Sequence, residues 1–482
     1  MLNYNSNIDE HKPGLPLYRR GNEGEASIMH NYGIISLIPP LIVVIIAIRT
    51  RLSLEPLIIG CLVGYIIIAR GNFFSAIIAS FTKVMQNELM VWVIMVCSLY
   101  GAIINLMIRS GGVLAFGNYA LKFVGNKRKS LFTTWLFGSF LFVDDYLNAL
   151  TSGTTMKKIT DHYKISREML AFVVSSTAVP ICVIVPISTW VIFVGKLLED
   201  NKLVPVGKGI ANYLHIIPFI SYGWIQYLLV PLVIFGVVPI IGKMKKANLR
   251  AETTGQLIPD DSEEFKLDVE VFDEKKQSSI WYLILPITVL IGCTIFFDLD
   301  ALKGVITALI FTIAYYSFKK VAPFKELSTS SIEGMKSMLF ALVLLLLSYL
   351  LKNLGDEMGL TQYILEVVTP NVSRQMLPLA IFISLGLVAF TTGNSWGLYA
   401  IAIPLVIPLS AALHCNVWLC IGAVVSAGAF GAHACFYSDA TILAAQGAEC
   451  NNFEHGITQL PFALISFTLS CVAYVVMGYL IV

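Results

Sequence analysis

The amino-acid sequence predicts an all-α polytopic membrane protein: two inverted repeats of about five transmembrane helices, each with a re-entrant hairpin. Three observations predict it. Of 482 residues, 56% are hydrophobic and only 13% charged, whereas a soluble domain is about a quarter charged. Short stretches recur about 248 residues apart: Leu37-Ile38-Pro39-Pro40 near Leu285-Pro286, Phe142-Val143-Asp144-Asp145 opposite Phe390-Thr391-Thr392-Gly393, and Val173-Val174-Ser175 opposite Val424-Val425-Ser426. Pro218 likewise matches Pro461. Finally, the basic residues of the loops change sides between the two copies.

Taken in order, residues 1–31 form a polar N-terminal segment. It carries Lys12, Arg19 and Arg20 and no short apolar core before a cleavage site, so it does not read as a removable signal peptide. The first membrane repeat, 32–242, holds apolar runs long enough to cross a bilayer near 32–48, 54–69, 90–108, 170–195 and 220–242. Residues 243–279 are the interdomain linker. Lys243-Met244-Lys245-Lys246 directly follows a span, which places the linker in the cytoplasm. The acidic Asp260-Asp261-Ser262-Glu263-Glu264 reads as solvated chain. The second repeat, 280–482, offers spans near 280–297, 301–318, 335–351, 417–437 and 458–482.

The charge pattern gives the halves opposite orientations. Residues 121–167 hold eight Lys and Arg, while 369–415 hold only Arg374. The reverse holds for 71–88, with Lys83 alone, against 319–336, with Lys319, Lys320, Lys325 and Lys336. Arg49 and Arg51 stand against Asp298 and Asp300. Opposite orientation explains all three switches, and such a duplication is the build of many secondary transporters. It puts the N-terminus outside, against its three basic residues.

A local inference follows. The basic clusters at 122–129 and 157–167 belong on one face, yet the apolar segment 131–156 lies between them, so that segment must enter and return. Asp144-Asp145-Tyr146-Leu147-Asn148 then lies at its tip. The counterpart, about 376–413, dips in from the other face with Thr391-Thr392-Gly393-Asn394-Ser395 at its tip. Exposed backbone at that depth is tolerated only against protein or a watery cavity.

The acids in these stretches are the chemical signal. A charge in mid-membrane costs on the order of 3 kcal/mol on insertion scales unless paired, protonated or bound to a cation. Asp144 and Asp145 are adjacent and resist ionising together without a counter-charge, which suits exchange of protons for a small hard cation. Asp439 is the third acid, in a run of small and polar residues that suggests an unwound helix. The matching segment from Thr177 to Thr189 contains Pro180 and Pro186 and reads as broken too. Asn148, Thr151, Ser152, Asn394 and Ser395 offer neutral oxygens, and Ser188 lies at the first break. His433 can titrate near neutral pH and carry protons. His455, after Asn451-Asn452, reads as solvated, and Trp190 and Trp396 as packing residues. The nine cysteines read as buried hydrophobes, with no zinc spacing.

Phe142-Val143-Asp144-Asp145-Tyr146-Leu147-Asn148, Pro186-Ile187-Ser188-Thr189-Trp190, Thr392-Gly393-Asn394-Ser395-Trp396-Gly397 and Ser438-Asp439-Ala440-Thr441 occur in that order. With them the sequence resembles the NhaC-type sodium/proton antiporter family over most of its length. The resemblance implies inverted repeats, re-entrant hairpins and elevator-like motion, with Asp144, Asp145, Asn148, Ser395 and Asp439 lining the ion or substrate site. It departs from the family pattern at Ser175 and Ala432, where an Asp is usual, and at Asn394, where Thr is usual. Fewer anionic oxygens favour a hard cation less, so a carrier of a small organic acid or amino acid stays open beside Na+/H+ exchange.

The expected protein is thus a multi-pass transporter of the cytoplasmic (inner) membrane, with a homodimer as a candidate assembly, rather than an enzyme. It needs no cofactor beyond the transported Na+ and H+, with Asp144, Asp145 and Asp439 as candidate Na+ ligands. A net charge of +2 gives no reason to expect a nucleic-acid partner. There is no GxxxxGK[ST] loop for ATP, no repeated ring of filter residues for a channel and no second catalytic-aspartate motif for an intramembrane protease.

Overall fold

The computed structural model describes residues 32–50, 54–259, 272, 279–360, 362–363 and 372–481. The N-terminal segment and the acidic part of the linker lie outside these residues. Every element among them is helical. Seven helices or jointed helix pairs are long and apolar enough to cross a membrane, eight if the bent pair Phe324–Ser337 and Leu342–Glu357 is counted as one span. The spans expected near 32–48, 220–242 and 280–297 are shorter apolar helices. Ser221–Phe235, for example, stops at Gly236, whose φ of 82° caps the helix in a conformation that glycine adopts without strain.

Residues 127–162 form the first expected hairpin. Its arms, Lys127–Phe140 and Asp145–His162, pack against each other around a break at 141–144. A straight helix would separate residues ten apart by about 15 Å, yet Asn148 Nδ2 donates to the Gly138 carbonyl at 2.7 Å, so the chain has folded back. The second hairpin pairs Leu377–Thr392 with Ser395–Ala412 around Gly393, which takes φ 67° at the turn. Ser395–Ala412, expected as a returning arm, is itself eighteen residues long and apolar enough to span.

Two spans are jointed. Arg167–Ile184 gives way at 185–188 to Thr189–Asp200, and Val417–Ala434 gives way at 435–438 to Asp439–Ala448. Pro180 stays inside its helix. The break falls instead at Val185, held extended (φ −91°, ψ 129°) because it precedes Pro186. No proline marks the second break. There Ser438 caps the new helix by accepting from the Thr441 N–H at 3.2 Å.

The elements recur in pairs, and their caps fix the register: Asp144 with Asn394, Ser166 with Asn416, Ser188 with Ser438. Each pair is 250 residues apart. This corrects the 248-residue alignment, which set Asp144 opposite Thr392; Asp144 stands opposite Asn394 and Asp145 opposite Ser395.

The basic run after residue 242 forms a helix, Gly242–Thr254, that buries Met244, Ala247 and Ala251. Arg250 Nη2 meets Glu168 Oε2 at 3.0 Å, tying the helix to the first jointed span.

Candidate functional site

Both hairpin turns meet a span joint. Thr189 N–H donates to the Val143 carbonyl at 3.0 Å, joining the first turn to the first joint. Tyr437 O–H donates to the Thr391 carbonyl at 2.5 Å, joining the second turn to the second joint. Contacts here link the halves: Tyr146 O–H donates to Asp439 Oδ2 at 2.5 Å, and the Trp190 and Trp396 rings lie 5.2 Å apart. Four helix N-termini, at Asp145, Thr189, Ser395 and Asp439, therefore belong to one neighbourhood.

Asp144, Asp145 and Asp439 come together there. All three are buried, and each lies within reach of the others' charge. Their surroundings differ. Asp144 caps its helix, accepting from the Leu147 N–H at 2.9 Å and from the Thr189 hydroxyl at 3.2 Å. Asp145 Oδ1 accepts from the Trp190 indole N–H at 2.9 Å, while its Oδ2 is buried with no hydrogen-bond partner. Asp439 accepts from Tyr146 and from the Ala440 N–H at 2.9 Å. No Lys, Arg or His forms an ion pair with any of the three among the described residues. Trp190, expected to be packing, is thus also a site donor.

Among the described residues no group of three His, Cys, Asp or Glu side chains is spaced to hold a metal ion. One Asp144 oxygen serves the start of its helix and the other takes the Thr189 hydroxyl.

The neutral candidates divide. Asn148 bonds Gly138 and accepts from Ser152 Oγ at 2.9 Å, so it closes the first hairpin. Asn394 caps Ser395–Ala412 through the Gly397 N–H at 2.7 Å. Ser395 Oγ donates to the Gly428 carbonyl at 2.7 Å, and Ser188 Oγ donates to the Cys182 carbonyl at 2.6 Å. His433 is buried and pairs with Tyr222 O–H at 2.7 Å and Ser176 Oγ at 2.8 Å, not with the aspartates. His455 corrects its expectation outright: it is fully buried inside Asn452–Ile481, with no partner for either ring nitrogen. The polar residues before it end a turn and start that helix.

Three site residues escaped the sequence reading. Tyr100, from Glu88–Arg109, and Tyr349, from Leu339–Glu357, are buried within reach of the aspartates' charge, and neither hydroxyl has a partner. Lys352 packs against Gly397, beside Asn394, with its Nζ 3.8 Å from Asp356 Oδ2. A lysine and an aspartate four apart in an apolar helix was the available signal.

An uncharacterised protein of Haemophilus influenzae is 27% identical over 92% of this chain and 91% of its own length. A model of the Na+/H+ antiporter family matches residues 181–479, which take in the first joint, the second hairpin and Asp439. On that match over more than half its length, the chain belongs to the Na+/H+ antiporter family.

Proposed function

We propose that this chain exchanges Na+ for H+ across the cytoplasmic membrane by alternating access between two inverted repeats. Family membership makes it a transporter; the ions, the site and the motion are the proposal. One observation carries it: three buried carboxylates, without a basic partner among the described residues, lie within reach of one another's charge beside the unpartnered hydroxyls of Tyr100 and Tyr349. A buried carboxylate without a counter-charge is tolerated only with a proton or a bound cation. Two such states, used alternately, are what an antiporter needs. Asp145 is the exchanging residue in this reading, Asp439 its support, and Asp144 the holder of the helix start. The test uses everted vesicles with a preformed pH gradient. Added Na+ dissipates the gradient if the proposal holds, and no dissipation at any Na+ concentration rejects it.

A second reading rests on Lys352. Its ammonium lies beside the second hairpin turn, next to the N-terminus of Ser395–Ala412, whose dipole favours an anion. A small carboxylate balanced by Lys352, with Na+ or H+ as the coupling ion, fits that end of the site. Counterflow of labelled organic acids and amino acids in proteoliposomes separates the readings, since an exchanger of inorganic ions moves none of them.

A further inference from the structure

Away from this site, a cleft of about 310 Å³ opens at the basic end of the first hairpin. Lys127, Arg128 and Lys164 rim it, and Leu131, Val233 and Ile240 are among the residues of its apolar wall. Lys127 pairs with Glu252 at 2.6 Å. Neither Arg128 nor Lys164 has an acidic partner among the described residues.

Below the rim, Lys127–Phe140 and Ser221–Phe235 pack side by side. Phe132 meets Phe235 at 5.5 Å and Trp135 meets Tyr227 at 4.8 Å between ring centroids, making an aromatic seam down the two helices. Leu136, Phe140, Leu228 and Phe235 stand exposed beside it. The cleft is therefore cationic at its mouth and apolar along its depth. It lies where a membrane-facing helix pair meets the polar helix Gly242–Thr254.

We infer that this cleft binds one anionic phospholipid, its phosphate on Arg128 and Lys164 and an acyl chain along the aromatic seam. Charge complementarity selects the occupant: two cations without an acidic partner among the described residues favour an anion, and the apolar wall favours a hydrocarbon tail attached to it. Basic pockets between membrane helices are a recurrent setting for anionic headgroups. All three rim residues lie outside the transport site.

The experiment takes purified full-length protein in detergent and adds phosphatidylglycerol or phosphatidylcholine. Bound lipid is counted by native mass spectrometry. Phosphatidylglycerol is retained over phosphatidylcholine, and R128Q/K164Q lowers that retention about thirtyfold, at about 1 kcal/mol per basic residue near the surface. K122Q/K129Q, which removes two nearby exposed cations outside the cleft, leaves retention unchanged. Equal retention of both lipids overturns the inference, as does equal loss in both double variants, which would mean diffuse surface charge. Displacement of the lipid by millimolar inorganic phosphate also overturns it, because the site would then recognise a free anion.

Discussion

Asp145 and Asp144 are neighbours with different work. One Asp144 oxygen holds the start of Asp145–His162 while the other takes the Thr189 hydroxyl, and asparagine caps a helix about as well as aspartate. Asp145 Oδ2 has no partner, so its charge is not spent on structure. Asp145→Asn should leave a folded protein whose Na+-driven proton flux falls more than about tenfold, the loss of one charge-assisted contact of at least about 1.4 kcal/mol. Asp144→Asn should fold equally and lose less flux. Initial rates in proteoliposomes, with thermal unfolding as the folding control, check both; equal losses would remove the division of labour. Tyr146→Phe deletes the donor to Asp439 and should shift the Na+ concentration for half-maximal rate while sparing unfolding temperature. The aspartates were legible because a charge in an apolar run is costly wherever it sits. Trp190, Tyr100 and Tyr349 were not, because an aromatic residue in an apolar run is what packing alone would select. His455 misled because Asn451 and Asn452 look like loop residues until one sees that Asn451 accepts from the N–H groups that open the last helix.

At the scale of elements, the site depends on helices that approach too closely for side chains. A Cβ added at Gly153 would lie 2.5 Å from the Gly447 carbonyl carbon, and one at Gly447 would lie 2.6 Å from the Ala149 carbonyl oxygen. Asp145–His162 and Asp439–Ala448 thus cross backbone to backbone, and that crossing puts Tyr146 within reach of Asp439. Gly153→Val should force the two apart, lowering the unfolding temperature through overpacking of about 1–3 kcal/mol. It should also reduce flux as severely as Tyr146→Phe or more. An unchanged unfolding temperature would mean that the crossing relaxes freely. The joints were partly legible at this scale. Two prolines announced the first, yet only Pro186 breaks the chain, since it holds Val185 extended while Pro180 remains helical. The second joint has no proline, and its sequence signal was a Ser that could cap and a run too polar for an unbroken span.

At the scale of the whole molecule, the paired caps are the evidence for duplication, and orientation is what remains to be tested. Lys164 and His414 make the test direct. They stand 250 residues apart, each following a hairpin arm, and each takes φ 50°. Shared left-handed backbone at two non-glycine residues is uncommon and points to one ancestral turn. If the halves are inverted, these equivalent turns face opposite sides of the membrane. In a background lacking the nine native cysteines, Lys164→Cys should react with a membrane-impermeant maleimide only in everted vesicles. His414→Cys should react only in intact cells. The basic residues around 157–167 and their absence around 414 motivate that assignment. Labelling of both from one side would set the repeats parallel, and the two hairpins would then enter from one face. The aspartates would still be close, because Tyr146 and the glycine crossing hold them regardless of orientation. What would be lost is the route by which each face alternately reaches them, and with it the exchange cycle rather than the site.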